Sequence, residues 1–210
     1  MVLVVQEIFG LHEWIRDISR RLAHLGYHAI APDMFQRQGD PTKLGDIQTL
    51  VHEIVSRVPD EQVLADLDAA AVFAGTDGGD AARLGITGFC WGGRVTWLHA
   101  AHSPVVKAGV AWYGRLKGEA SAMQPRHPFD VAASLRAPVL GLYGGRDRGI
   151  PVSDVEAMQG ALTSAGSASR ILLYPDADHG FLADYRPSFD ADASTQAWEE
   201  MVGWFATHLA

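Results

Sequence analysis

What most constrains this chain is an alternation that runs from end to end, with short apolar runs separated by longer amphipathic ones. Val2 to Val5 reads as a buried strand. Trp14, Ile15, Ile18, Leu22 and Leu25 then recur at helical spacing, with Gly26 as the stop. His28 to Ala31 reads as the next strand, and a polar surface loop follows from Phe35 to Lys43. Helices are expected over 47–57 and from Pro59-Asp60 onward. In the second of these, Val63, Leu64, Leu67, Ala71 and Ala74 share a face until Asp77-Gly78-Gly79-Asp80 breaks it. Further strands are expected at 84–87, 108–113, 139–143 and 171–174, and helices at 91–101, 151–165 and 193–208. Six strands with helices in nearly every gap predict an α/β fold, a mostly parallel sheet covered by helices on both faces. No repeat, low-complexity tract or linker interrupts the pattern, so a single domain over 1–210 is expected.

Composition narrows the partners. At 210 residues and 48% hydrophobic, the chain is long enough to bury roughly 70% of its unfolded surface without a disulfide or metal. Its formal charge of −8 argues against nucleic acid or an anionic membrane as the main partner. One cysteine excludes an internal disulfide framework and a multi-cysteine zinc site, and a free thiol fits a reducing compartment. The stretch Met1 to Glu7 has no basic region before its apolar run, and no segment approaches the roughly 18 apolar residues of a membrane span. A cytoplasmic location is therefore expected. His12-Glu13-x-x-Arg16 opens like a zinc-protease helix but lacks the second histidine, and no glycine-rich phosphate loop occurs.

Gly88-Phe89-Cys90-Trp91-Gly92-Gly93 carries the chemistry. Gly-x-Cys-x-Gly between a strand and a helix has the form of a nucleophile elbow, with cysteine where serine is usual. A lone cysteine in an apolar stretch is ordinarily a small buried hydrophobe. The strand before it and the amphipathic helix after it favour the nucleophile instead. At a helix N-terminus, free N–H groups and the macrodipole favour a thiolate, and the Trp91 N–H is placed to bind an oxyanion.

A thiol needs a base, and this fold class orders its triad nucleophile, acid, histidine along the chain. Asp147 follows the strand 139–143 in Gly144-Gly145-Arg146-Asp147, and His179 follows the last strand in Asp178-His179-Gly180-Phe181. Both fall beyond the carboxyl ends of strands, on the same sheet edge as Cys90, where ligands bind open α/β sheets. Asp176 and Asp178 are rivals for the acid. They rank lower because residues so close to His179 in sequence rarely reach its far ring nitrogen.

Together with Gln6-Glu7-Ile8-Phe9-Gly10, Ala31-Pro32-Asp33 and Trp112-Tyr113-Gly114, these blocks resemble the dienelactone hydrolase (carboxymethylenebutenolidase) family, in family order and over nearly the whole chain. The resemblance implies an α/β-hydrolase fold and a Cys90–His179–Asp147 triad. It implies that Glu7 lies beside the thiol and helps generate the thiolate, where loop capping is the plain alternative. It also implies an oxyanion hole from the N–H groups of Ile8 and Trp91, acyl transfer to the thiolate, and no metal or organic cofactor. The expected substrate is a small lactone or carboxylic ester. Phe35, Trp112, Tyr113 and Phe181 are expected to line its pocket.

Two departures from the family pattern stand out. An arginine four residues after the catalytic histidine holds the substrate carboxylate in the family; here that position is Ala183, with Arg186 three residues further on and Arg57 a candidate for a second arginine. Family members also have two strands before the one at Val2, so the strand at 28–31 is expected to form an open edge that promotes homodimerisation. The alternative function is a non-catalytic binding protein of the same fold.

Overall fold

The computed structural model of the protein describes residues 1–210. Six strands, β1 (Val2–Val5), β2 (Ala29–Ile30), β3 (Leu84–Phe89), β4 (Val106–Trp112), β5 (Val139–Gly144) and β6 (Arg170–Tyr174), form one sheet in the order β2-β1-β3-β4-β5-β6. Every pairing is parallel. Seven α-helices fill the connections: α1 (Glu13–His24), α2 (Ile47–Glu53), α3 (Asp60–Thr76), α4 (Trp91–His102), α5 (Pro128–Val131), α6 (Val152–Ser164) and α7 (Ala191–His208). All residues of β1, β3 and β5 are buried, as expected where helices cover both faces of a parallel sheet. No helix is long and apolar enough to cross a membrane.

The chain leaves β1 for β2 on one side and returns to β3 on the other. That reversal opens a crevice beyond the carboxyl ends of β1 and β3, where ligands settle in open α/β sheets. Glu7 lies two residues past β1 and Cys90 one past β3, so both residues flank it.

Local chemistry accounts for most elements. In α1, Trp14, Ile15, Ile18 and Leu22 are buried, each contributing about 1.5–3 kcal/mol of apolar burial. The helix stops before Gly26, whose φ of +89° suits only glycine at low cost. Leu25, expected on the buried face, is instead half-exposed at the C-cap. The helix expected over 47–57 breaks at Ile54 into α2 and a 3₁₀ turn. Strand β2 is two residues rather than four, and β3 extends through Phe89. Helix α5 was not expected. Its signals are Pro128 in the first turn and a reciprocal cap between His127 and Asp130.

Candidate active site

One residue separates β3 from α4, and it is Cys90. Its φ of 55° and ψ of −113° lie outside the favoured regions for a residue with a side chain, at a cost on the order of 1–3 kcal/mol. The turn is pinned on both sides. The Cys90 N–H donates to the Trp112 carbonyl at 3.0 Å, and the N–H groups of Gly93 and Arg94 donate to the Cys90 carbonyl. A Cβ on Gly88 would collide with the Gly92 carbonyl, and one on Gly92 with the backbone of Val5 and Gln6. The glycines of the motif therefore serve the close approach of helix to sheet. Cys90 itself is half-buried with a free thiol.

The other two members of the expected triad meet. Asp147 Oδ2 lies 2.7 Å from His179 Nδ1, and its Oδ1 accepts the N–H groups of Gly149 at 2.8 Å and Ile150 at 3.2 Å. With Nδ1 donating to a carboxylate, Nε2 is the nitrogen left for the thiol. Burial alone would lower the His179 pKa. Hydrogen bonds to Asp147 and Cys90, with the charges of both, outweigh that and raise it to about 10. The rival acids are engaged elsewhere: Asp176 pairs with Arg146, and Asp178 Oδ1 accepts the backbone N–H of His179.

Glu7 is fully buried, and its acceptors are occupied. Tyr185 Oη donates to it at 2.6 Å, Arg186 Nη2 at 2.9 Å, and His12 Nε2 lies 3.3 Å away. Burial opposes its ionisation, but His12, the Arg186 charge and Tyr185 together hold its pKa below the ordinary carboxylate value. It makes no hydrogen bond to Cys90, so its immediate neighbours are this cage rather than the thiol. Neither His12 nor Tyr185 was singled out from sequence for this role. Tyr185 and Arg186 reach Glu7 across nearly 180 residues, a separation that no local pattern reveals.

A cavity of about 390 Å³ opens onto the thiol. Ile8, Cys90, Trp91, Tyr113 and His179 form its inner end. Val51, Val55, Met123 and Ile150 give it apolar walls, and Ser56, Ser121, Gln124 and Arg115 add polar groups. The amide of Ile8 makes no hydrogen bond within the protein. That of Trp91 opens α4, so no helical carbonyl precedes it in range.

Of the expected lining residues, only Tyr113 lines this cavity. Phe35, Trp112 and Phe181 are fully buried and belong to the core beneath it. Phe35 packs on Trp91, the Trp112 indole N–H donates to Thr87 Oγ1 at 3.2 Å, and Phe181 packs among Trp112, Tyr113 and Tyr174. Arg186 does not line the cavity either; it is spent on Glu7 and lies over the Phe9 ring. Arg57 is exposed and paired with Glu53.

A second buried cluster supports the cavity wall and carried no sequence signal. Arg94 Nη1 and Nη2 donate to the two oxygens of Asp60 at 2.7 and 2.8 Å. Its Nη2 also donates to the Arg126 carbonyl at 2.7 Å, and its Nε to His127 Nδ1 at 3.3 Å. His127 Nε2 then donates to the Glu119 carbonyl at 3.1 Å. The segment 115–127, which supplies Arg115, Ser121, Met123 and Gln124 to the cavity, is thus tied to the helix that begins at the thiol.

Comparison with known proteins agrees with this architecture. A family profile described as the dienelactone hydrolase family matches residues 1–209. A relative from Methylorubrum extorquens, provisionally named a carboxymethylenebutenolidase, is 60% identical over 205 residues, covering 97% of this chain and 70% of its own. A crystal structure from Klebsiella pneumoniae, provisionally named a dienelactone hydrolase, is 58% identical with a TM-score of 0.96, over 98% of this chain and 85% of that one. A dienelactone hydrolase-like promiscuous phosphotriesterase from metagenomic libraries is 25% identical with a TM-score of 0.79, over 100% of this chain and 86% of that one. The fold is that of the α/β-hydrolases.

Proposed function

The chain belongs to the dienelactone hydrolase family of hydrolases, and from that premise we propose that it cleaves a small lactone or carboxylic ester through Cys90. The observation that carries this reading is the alignment at one sheet edge of a strained thiol at a helix N-terminus with a histidine whose far nitrogen is held by a buried carboxylate.

The thiol proton passes to Nε2 of His179, and the sulfur attacks the acyl carbon. Negative charge develops on the acyl oxygen, where the free N–H groups of Ile8 and Trp91 receive it. Collapse breaks the carbon–oxygen bond, and the leaving oxygen takes the proton back from His179. Water, deprotonated by His179, then attacks the thioester and releases the acid while the thiol is restored. Asp147 keeps His179 in the required tautomer and stabilises its cationic form. Glu7 acts from behind Arg186, whose charge acts on Cys90 as well as on Glu7. The scheme requires no metal or organic cofactor.

The apolar walls and the cavity volume suit an acyl or alcohol group of a few carbons to one ring. A panel of p-nitrophenyl esters and simple lactones, run with Cys90→Ala and His179→Ala as controls, tests the reading. Hydrolysis abolished by both substitutions is the expected result. No hydrolysis of any panel member, together with binding of intact substrate, would favour the non-catalytic alternative.

A further inference from the structure

Only two residues other than glycine have positive φ in the whole chain, Cys90 at 55° and Tyr113 at 37°. They are neighbours across the sheet. The β3–β4 register pairs Phe89 with Trp112, and Cys90 and Tyr113 are the next residue on each strand. The Cys90 N–H donates to Trp112, and the Tyr113 N–H to Leu142, so both turns are anchored to the strand alongside. A bulky residue in the left-handed region is a backbone outlier, and such strain persists only where the surroundings enforce it. The adjacent thiol turn has a chemical reason for its strain. Tyr113 has no comparable motif to explain its own.

Its side chain adds a second oddity. Tyr113 is fully buried, lines the inner end of the cavity beside Cys90, and sets its ring against His179 at 5.2 Å and 63°. Its hydroxyl has no hydrogen-bond partner. A buried hydroxyl without a partner is costly, and in native proteins such groups concentrate where a partner arrives during function. The negative charges of Glu7 and Cys90 act on this hydroxyl and, with burial, push its pKa far up, so it stays an O–H donor.

We propose that the Tyr113 hydroxyl is a catalytic hydrogen-bond donor to the thiolate sulfur of Cys90. It makes no bond to the resting thiol and acquires its acceptor when the sulfur ionises. No proton leaves the phenol; the thiol proton goes to His179 Nε2, and Tyr113 meets the negative sulfur from the β4 side. A donor satisfied only in the reactive state favours that state selectively. This inference rests on the reading of Cys90 as the nucleophile.

Tyr113→Phe tests it, because the ring remains and only the partnerless oxygen is lost. The rate of Cys90 alkylation by iodoacetamide is followed against pH for both proteins. The expected result is a profile displaced upward by about one pH unit, the scale of a hydrogen bond to a charged group. Melting temperature should be unchanged or raised. For a p-nitrophenyl ester cleaved by the wild type, kcat should fall about ten-fold at neutral pH with KM little changed. Superimposable alkylation profiles would overturn the proposal, and so would loss of fold, since that would give the hydroxyl a structural role. Failure of the nucleophile reading is separately visible, as ester hydrolysis that survives Cys90→Ala.

Discussion

Asp60→Ala is expected to destabilise the protein far more than its distance from the thiol implies. The Asp60 and Arg94 side chains are 9% and 3% exposed and meet in a bidentate pair at 2.7 and 2.8 Å. Removing the carboxylate leaves a guanidinium buried with only the Arg126 carbonyl and the His127 ring as acceptors. Breaking one partner of such a pair costs about 3–5 kcal/mol. At roughly 2–4 °C per kcal/mol for a chain of this length, melting should fall by about 6–20 °C. Asp60→Ala/Arg94→Met should recover much of the loss, because no uncompensated charge remains inside. Urea unfolding of wild type, both single variants and the double variant gives the coupling directly. The consequence should reach the site: Arg94 and the Asp60 N–H, which donates to the Met123 carbonyl at 2.8 Å, hold the 115–127 wall, so KM should rise before kcat falls. An Asp60→Ala protein within about 1 kcal/mol of the wild type would refute the argument, since a loss so small is the scale of an exposed pair.

Asp147→Asn should leave melting nearly unchanged while lowering kcat by about 10⁴, the scale set when a triad histidine loses its tautomer control; steady-state kinetics on an ester that the wild type cleaves would decide it. Glu7 makes stability depend on acid. Its folded pKa lies below the ordinary value, so its contribution is present above about pH 4.5 and is lost as pH falls through the folded value. Urea unfolding from pH 7 to 3 should show that loss, and Glu7→Gln should flatten it; an unchanged slope would count against the Arg186 pairing. Gly88→Ala should destabilise by several kcal/mol or abolish soluble expression, because its Cβ has only backbone to displace; circular dichroism and melting would reveal a tolerated alanine.

How much of this was legible in the sequence depends on how far each interaction reaches along the chain. The strand–helix alternation and the elbow are local, and the structure reproduces both, with boundaries moved by a few residues at β2, β3 and α2. Asp147 and His179 were found because the chain order of their loops is fixed by the fold, even though they are 32 residues apart. The aromatic residues were not so separable. Trp112 and Tyr113 are adjacent, yet one points into the core toward Thr87 while the other reaches the cavity. Strand periodicity would place them on opposite faces but cannot say which face opens on a cavity beyond the strand end. The positive φ of Tyr113 then changes the direction that alternation would assign. Arg94 shows the same limit in reverse. It stands four residues after the thiol, where a helical residue could face solvent, and only the arrival of Asp60 and the 119–127 segment makes its burial affordable. Patterns near the backbone thus specify where the nucleophile sits, whereas what surrounds it is decided by contacts between distant segments. That is why Glu7 could be named in advance while its cage of Arg186, Tyr185 and His12 could not.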